Sequence, residues 1–163
     1  MNVVTARDVF GKQHLVDVSD LTQDAHIYGI AVEGEKILIV PQFDGYDFPG
    51  GTIKNGETHG EALRREFKEE TGLEIEPIKL LNVYTSFFHH QKYGTNYQSL
   101  LIFYLVKIVG GTISADGFDE DEKEYASEAE WKNIDDLKEM RHVCSIDVAS
   151  EIIASTKAAS YSR

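Results

Sequence analysis

Three glutamates, Glu66, Glu69 and Glu70, fall within five residues of a segment that carries helix signals at both ends. Thr58 suits an N-cap and Glu61, three residues on, completes a capping box, while Gly72 suits the residue that ends a helix. The spacing predicts a helix over 59–71. With Leu63 placed at zero on a helical wheel, Phe67 falls at about +40°, Glu70 at about −20°, Glu66 at about −60° and Glu69 at about −120°. The plain reading of a charged helix is one solvated face, and here Glu61, Arg64, Arg65 and Lys68 already supply it. The three other carboxylates share or border the side of Leu63 and Phe67, which should be apolar. Carboxylates crowded beside a core cost stability unless a cation neutralises them. All the donors are hard oxygens, with no Cys or His at helical spacing to them, so Mg²⁺ is expected, with Mn²⁺ as substitute, over Zn²⁺.

The wider pattern around these glutamates is Gly51, Glu57, Arg65-Glu66, Glu69-Glu70 and Gly72-Leu73. This stretch, GTIKNGETHGEALRREFKEETGL, resembles the Nudix box, and its seven fixed letters would coincide by chance on the order of once in 10⁸ windows. Phe67 departs from the aliphatic residue usual at that place and should pack equally well. The resemblance implies a Mg²⁺-dependent hydrolase of diphosphate linkages in nucleoside diphosphate derivatives. It also implies roles. Glu66 and Glu70 would be direct metal ligands, Glu69 a third ligand or an activator of water, and a backbone carbonyl of Gly50 or Gly51 a further ligand. Glu57 and Arg65 would support the catalytic group, Arg65 one turn before Glu69 and able to orient it.

These residues need a scaffold. Strands are expected at about 26–32 and 36–40, joined through Gly34 as a hairpin, then at 78–88, 98–109 and 127–134 around Trp131. Gly50-Gly51, after Phe48-Pro49, suggests a turn that brings bare backbone close to something. Ser145 would N-cap a second helix over 146–158 with Ile146, Ala149, Ile152 and Ile153 on one face. Two helices and a mixed β-sheet between them give an α/β class, and the resemblance implies the Nudix-like α/β/α sandwich over residues 25–158. Residues 1–24 form an extension, with an extra strand near 14–18 or an arm to a second copy in a homodimer as its two readings. Residues 159–163 read as a frayed tail.

The chain has 163 residues, 42% of them hydrophobic, which supports one substantial core and not two. Its net charge of −12, from 16 basic and 28 acidic residues, repels a nucleic-acid backbone and excludes a general DNA or RNA binder. The expected partner is instead a small nucleotide or other diphosphate. The amino end lacks a secretory pattern, and the longest apolar run, Leu100 to Val106, is too short to span a bilayer. With Cys144 as the single cysteine, no internal disulfide can form and a reducing cytoplasm is expected.

Three further regions carry open readings. The acidic tract 116–124 is a solvated loop or, as the resemblance implies, the source of one more glutamate among Glu120, Glu122 and Glu124. The segment FFHHQKYGTNY reads as a loop between two strands, or as substrate recognition through His90 and Tyr93 with Lys92 near a phosphate. Phe43, Tyr46 and Phe48 could stack on a ring or close the core, with Phe48 assigned to the core and Phe43 to the substrate. His59 is expected to be exposed. Neither a proline nor a tyrosine stands cleanly at the place beyond the box associated with particular substrates, so the substrate stays open. Two rival functions remain beside hydrolysis: a catalytically silent nucleotide-binding sensor, against which the intact glutamate set speaks, and isoprenyl diphosphate isomerase-like chemistry, which would need a partner for Cys144.

Overall fold

The computed structural model describes residues 2–144 and 149–160. Its strands are β1 (Val3–Arg7), β2 (Gln13–Asp17), β3 (Leu21–Glu33), β4 (Lys36–Gln42), β5 (Gly45–Asp47), β6 (Gly50–Thr52), β7 (Leu73–His90), β8 (Thr95–Gly111) and β9 (Glu130–Asn133). Helix α1 (His59–Thr71) and helix α2 (Ala149–Ser160) complete the fold. The strands form a mixed sheet in the order β2-β1-β7-β8-β3-β4-β5, with β6 paired to β3 and β9 to β4.

The period of two in the strands divides the core. Ile27 and Ala31 of β3, Leu38 and Val40 of β4, and Ile102 and Val106 of β8 pack with Ala62, Leu63 and Phe67 of α1. The alternate residues Tyr28, Ile30, Ile37, Ile39, Leu101 and Phe103 pack on the other face with Ala149 and Ile152 of α2. Each central strand is therefore buried on both sides, as an α/β/α sandwich requires. At Gly29 the backbone lies so close to α1 that an added Cβ would stand 2.7 Å from the Phe67 ring. Phe48 and Tyr46 are both buried in the α2-side core.

The hairpin of β3 and β4 forms as expected, pairing Glu33 with Lys36 across a turn at Gly34, whose φ is 60°. Three expectations need correction. Gly50-Gly51 lies in strand β6, antiparallel to β3, and not in a turn; the close approach of its backbone is real. Strand β7 starts at Leu73, not near 78: Leu73 and Ile75 are buried while Glu74 and Glu76 point out, and register shifts on either side of Pro77 absorb the missing N–H. The FFHHQKYGTNY segment is the end of the β7–β8 hairpin, with His89 paired to Asn96 and His90 to Thr95, so the connection shrinks to residues 91–94.

Residues 3–17 form a β1–β2 hairpin whose first strand runs parallel to β7 through Arg7 and Phe88. The extension thus joins the chain's own sheet. The Ser145 cap and Ile146 lie outside the described residues, whereas Ile152 is fully buried where α2 meets the sheet.

Candidate functional site

Helix α1 is fixed at its start by the full capping box, the Thr58 side chain accepting from the Glu61 backbone N–H and the Glu61 side chain accepting from that of Thr58. It ends at Gly72 in the left-handed conformation, φ 75°. Between these ends Leu63 and Phe67 point into the core, and the same side carries Glu66 and Glu70, only 7% and 5% exposed. Glu69 stands at the edge of this face and is half-exposed. Glu61 and His59 face solvent.

Strand β6 supplies the floor. The Gly50 N–H donates to Glu70 Oε2 at 2.8 Å. A Cβ on Gly51 would stand 2.7 Å from the Glu66 carboxyl carbon, so only glycine lets the strand come this near. Arg65 does not join the solvated face where the wheel placed it. Its guanidinium turns back to Glu57 Oε1 (2.5 Å) and Oε2 (2.8 Å), Glu66 Oε1 (2.6 Å), Glu69 Oε2 (3.1 Å) and the Thr52 carbonyl (3.1 Å). The four box residues Glu57, Arg65, Glu66 and Glu69 are one connected group, and Glu70 lies one turn from Glu66 on the buried side.

The electrostatics follow from burial. The Glu70 carboxyl is pushed well above the ordinary carboxylate range by burial first and by the charges of Asp47, Glu122 and Glu66, against the Gly50 N–H. Burial also raises Glu66, opposed by Arg65 and assisted by Glu69 and Glu122. Glu57, held by Arg65 and the Lys54 N–H, drops to about 2. Among the described residues no three Asp, Glu, His or Cys side chains already converge as a cation cage. The reason is visible in the pairing: Arg65 draws one oxygen of Glu66 and one of Glu69, and Gly50 holds one oxygen of Glu70. The second oxygens of Glu66 and Glu70 make no hydrogen bond among the described residues. Carboxylate oxygens are the donor chemistry that suits a hard cation.

Among the acidic-tract candidates the structure separates three behaviours. Glu120 is 92% exposed and paired to Lys123, and Glu124 points out near Lys92. Glu122 opens a short 3₁₀ turn (Glu122–Glu124), accepts the Asp119 N–H at 2.8 Å and is partly desolvated. Burial raises its carboxyl, with the charges of Asp119 and Glu69 adding to the effect. Glu122 is the member of the tract whose charge adds to the raising of Glu66 and Glu70 and is itself raised by that of Glu69.

Beside this cluster opens a cavity of about 1010 Å³. Its wall contains Phe43, His90 and Tyr93, the three residues expected to bind substrate, together with Thr52 and Glu122, which connect it to the glutamates. His90 and Tyr93 have ring centroids 4.7 Å apart, and the buried His90 Nδ1 has no hydrogen-bond partner among the described residues. The Lys92 ammonium pairs with Asp121 at 2.8 Å. Cys144 also reaches the wall. The cavity includes features that periodicity could not reveal: the Asp24–His26 pair on β3 (3.0 Å), Asp47 on β5, and Phe10 from the amino-terminal hairpin.

Comparison with known proteins agrees with this geometry. The NUDIX domain family matches residues 22–147. An ADP-ribose pyrophosphatase of Methanocaldococcus jannaschii is 35% identical over 102 residues, covering 60% of this chain and 57% of that protein. Bacillus subtilis YtkD, provisionally named an 8-oxo-dGTP diphosphatase, is 42% identical over 60 residues, or 36% of this chain and 38% of that protein. The matched portions thus span 57% and 38% of those relatives' lengths, less than two thirds in each case. Among solved structures, an ADP-ribose pyrophosphatase from Streptococcus suis superposes with a TM-score of 0.65 at 20% identity, covering 87% of this chain and 96% of that one. A NUDIX hydrolase from Nitrosomonas europaea gives 0.63 at 20% identity over 85% and 90%. A family match over most of the chain, an α/β/α fold shared with those structures and a box whose glutamates gather on one buried helix face place this protein in the NUDIX family.

Proposed function

We propose that the protein is a Mg²⁺-dependent hydrolase, also served by Mn²⁺, that cleaves a diphosphate linkage in a nucleoside diphosphate derivative. The observation that carries this reading is the buried pair Glu66 and Glu70, held against the glycine backbone of β6 with one free oxygen each. Glu66, Glu70 and Glu69 would hold the cation, with the Gly51 backbone beside them and the charge of Glu122 acting on Glu66 and Glu70. A bound Mg²⁺ supplies positive charge to phosphoryl oxygens and lowers the pKa of a water. Arg65 keeps Glu69 and Glu66 oriented through Glu57, and Glu69, the most accessible of the three, is placed to take a proton from water. A second observation supports a cation. The cavity wall carries six carboxylates (Asp24, Asp47, Asp119, Asp121, Glu122 and Glu124) against one lysine, itself paired, so a diphosphate cannot approach without added positive charge.

His90, Tyr93 and Phe43 would contact the part of the substrate beyond the diphosphate. The names of the relatives, ADP-ribose pyrophosphatase and 8-oxo-dGTP diphosphatase, define the substrate panel without choosing from it. The single Cys144 suits a reducing compartment, and we place the protein in the cytoplasm. The test is release of nucleoside monophosphate or phosphate from a panel of nucleoside diphosphate sugars, dinucleoside polyphosphates and nucleoside triphosphates, with Mg²⁺, with Mn²⁺ and with excess chelator. Turnover that persists in chelator, or none on any compound with either ion, would sink the reading.

A further inference from the structure

We propose that the amino-terminal hairpin, outside the matched family region, is part of the substrate site: Phe10 in the β1–β2 turn and Phe43 in the β4–β5 turn form an aromatic mouth for a nucleobase, and Arg141 is the positioning residue that ties the two turns together. The proposal rests on the nucleotide reading above and adds to it where the base is held and by which part of the chain.

Phe10 and Phe43 are 58% and 44% exposed, yet both line the cavity and meet edge to face with centroids 5.7 Å apart. Two exposed rings brought together at an opening add little to the core and leave apolar faces for a ligand. Phe43 has a φ of 48°, the only positive value of a non-glycine among the described residues, and an unfavourable conformation for a bulky side chain. It is retained by two contacts with Tyr125: the Phe43 N–H donates to the Tyr125 carbonyl at 2.9 Å, and the rings stack in parallel at 4.7 Å.

The Phe10 turn is fixed from three sides. Asp8, buried, accepts the N–H groups of Phe10 (2.9 Å) and Lys12 (3.0 Å), contacts His14 Nε2 at 2.9 Å and accepts from Gln91 of the β7–β8 turn at 2.5 Å. Arg141 then bridges the two turns. Its Nη1 donates to the carbonyl of Val9 at 2.9 Å, the residue before Phe10. Its Nε donates to Asp44 Oδ1 at 2.9 Å, the residue after Phe43, and Nη2 reaches the same oxygen. The Arg141 carbonyl also accepts the Tyr46 N–H at 2.9 Å, so the bridge is anchored to β5. The wall below the mouth is rich in carboxylates, which turns away the charged end of a nucleotide and leaves the planar, uncharged base as the group this opening accepts. Base–aromatic stacking tolerates every base.

The experiment measures equilibrium binding of the four ribonucleoside 5′-monophosphates and of ribose 5-phosphate, in Mg²⁺, to the wild type, Phe10→Ala, Phe10→Tyr and Arg141→Ala. Phe10→Ala should weaken nucleoside monophosphates roughly five- to a hundredfold, the span of one lost stacking contact, and leave ribose 5-phosphate within about twofold. Phe10→Tyr should restore binding. Arg141→Ala should weaken nucleotides similarly, and add less in the Phe10→Ala background than alone, because it acts through the mouth. On a nucleoside diphosphate sugar both alanine variants should raise KM and leave kcat within about twofold. Nucleotide binding unchanged in Phe10→Ala, equal weakening of ribose 5-phosphate, or no binding of any of the four nucleotides to the wild type overturns the proposal. A wild type that binds nucleotides through Phe10 but hydrolyses no diphosphate instead overturns the hydrolase reading and leaves the mouth standing.

Discussion

Replacing Glu70 by Gln separates the two things this carboxylate does. Gln keeps the shape and an oxygen to accept the Gly50 N–H at 2.8 Å, so the link from α1 to β6 survives. What disappears is a buried negative charge that burial, Asp47, Glu122 and Glu66 all disfavour. The sign is definite. A carboxyl whose pKa in the folded chain lies above its unfolded value contributes stability that is present below the unfolded pKa and lost as pH rises through the folded one. The metal-free wild type should therefore lose stability from acid toward alkaline pH, and Glu70→Gln should lose less. The metal-free variant should therefore melt higher than the wild type near pH 8, and for a chain of this size each 1 kcal/mol of difference moves Tm by about 2–4 °C.

Catalysis should move the other way. Losing a charged ligand should lower kcat by at least about a hundredfold, or about 2.7 kcal/mol of transition-state stabilisation. The assay is a pair of melting curves, without and with saturating Mg²⁺, beside kcat on the best substrate of the panel. Mg²⁺ should raise Tm of the wild type and close the gap to the variant. A metal-free Glu70→Gln that melts lower than wild type near pH 8, or one that keeps full kcat, would refute the assignment of Glu70 as a charge waiting for a cation.

Other substitutions test the neighbouring assignments. Glu122→Gln should lower kcat about tenfold or more, while Glu120→Gln, fully in solvent, should leave it unchanged; equal effects would mean that the 3₁₀ turn does not select Glu122. Glu61→Gln should change kcat by no more than about twofold because Gln still completes the capping box, and a loss as large as that of Glu70→Gln would discredit the division of the helix into two faces. His90→Ala and Tyr93→Ala should each raise KM by the equivalent of about 1–3 kcal/mol on nucleotide substrates and spare metal affinity; equal loss of kcat on the smallest diphosphate would make them catalytic. Activity should rise with pH, because burial raises the carboxyls of Glu66, Glu70 and Glu122, which must ionise to hold metal; a flat profile in saturating Mg²⁺ from pH 5 to 9 would contradict this.

The catalytic helix was the most legible part of the sequence because its signals are local. Caps, wheel and box all lie within 51–73, and the capped helix they predict is present. Arg65 escaped the wheel because a long side chain can cross from its own face to partners at Glu57 and Thr52, which a projection by angle cannot represent. The start of β7 was hidden by Pro77, whose usual meaning as a strand breaker is cancelled by flanking register shifts. The glycine pair of β6 looked like a turn because its strand is three residues long and pairs only through contacts distant in sequence. The choice of Glu122 and the arrival of Phe10 beside Phe43 depend on tertiary placement alone. No spacing in the chain encodes the approach of Val9 to Arg141.

The close packing of β6 on α1 explains why so unfavourable a cluster can persist. If Gly51 carried a side chain, Glu66 would be pushed outward, toward water, where its charge would cost little and hold a cation weakly, whereas a side chain on Gly50 would meet the β3 backbone at Ile27 and Tyr28. With bare backbone there, the carboxylates sit in a region of low dielectric, and the same burial that raises their pKa strengthens their attraction for a divalent ion. Arg65 offsets part of the repulsion through Glu66 and Glu69, and among the described residues Glu70 pairs with no cation. Leu63 and Phe67 pack into the core on the same side of the helix, and the close approach at Gly29 lets α1 lie against the sheet, so packing fixes the helix face that carries the glutamates.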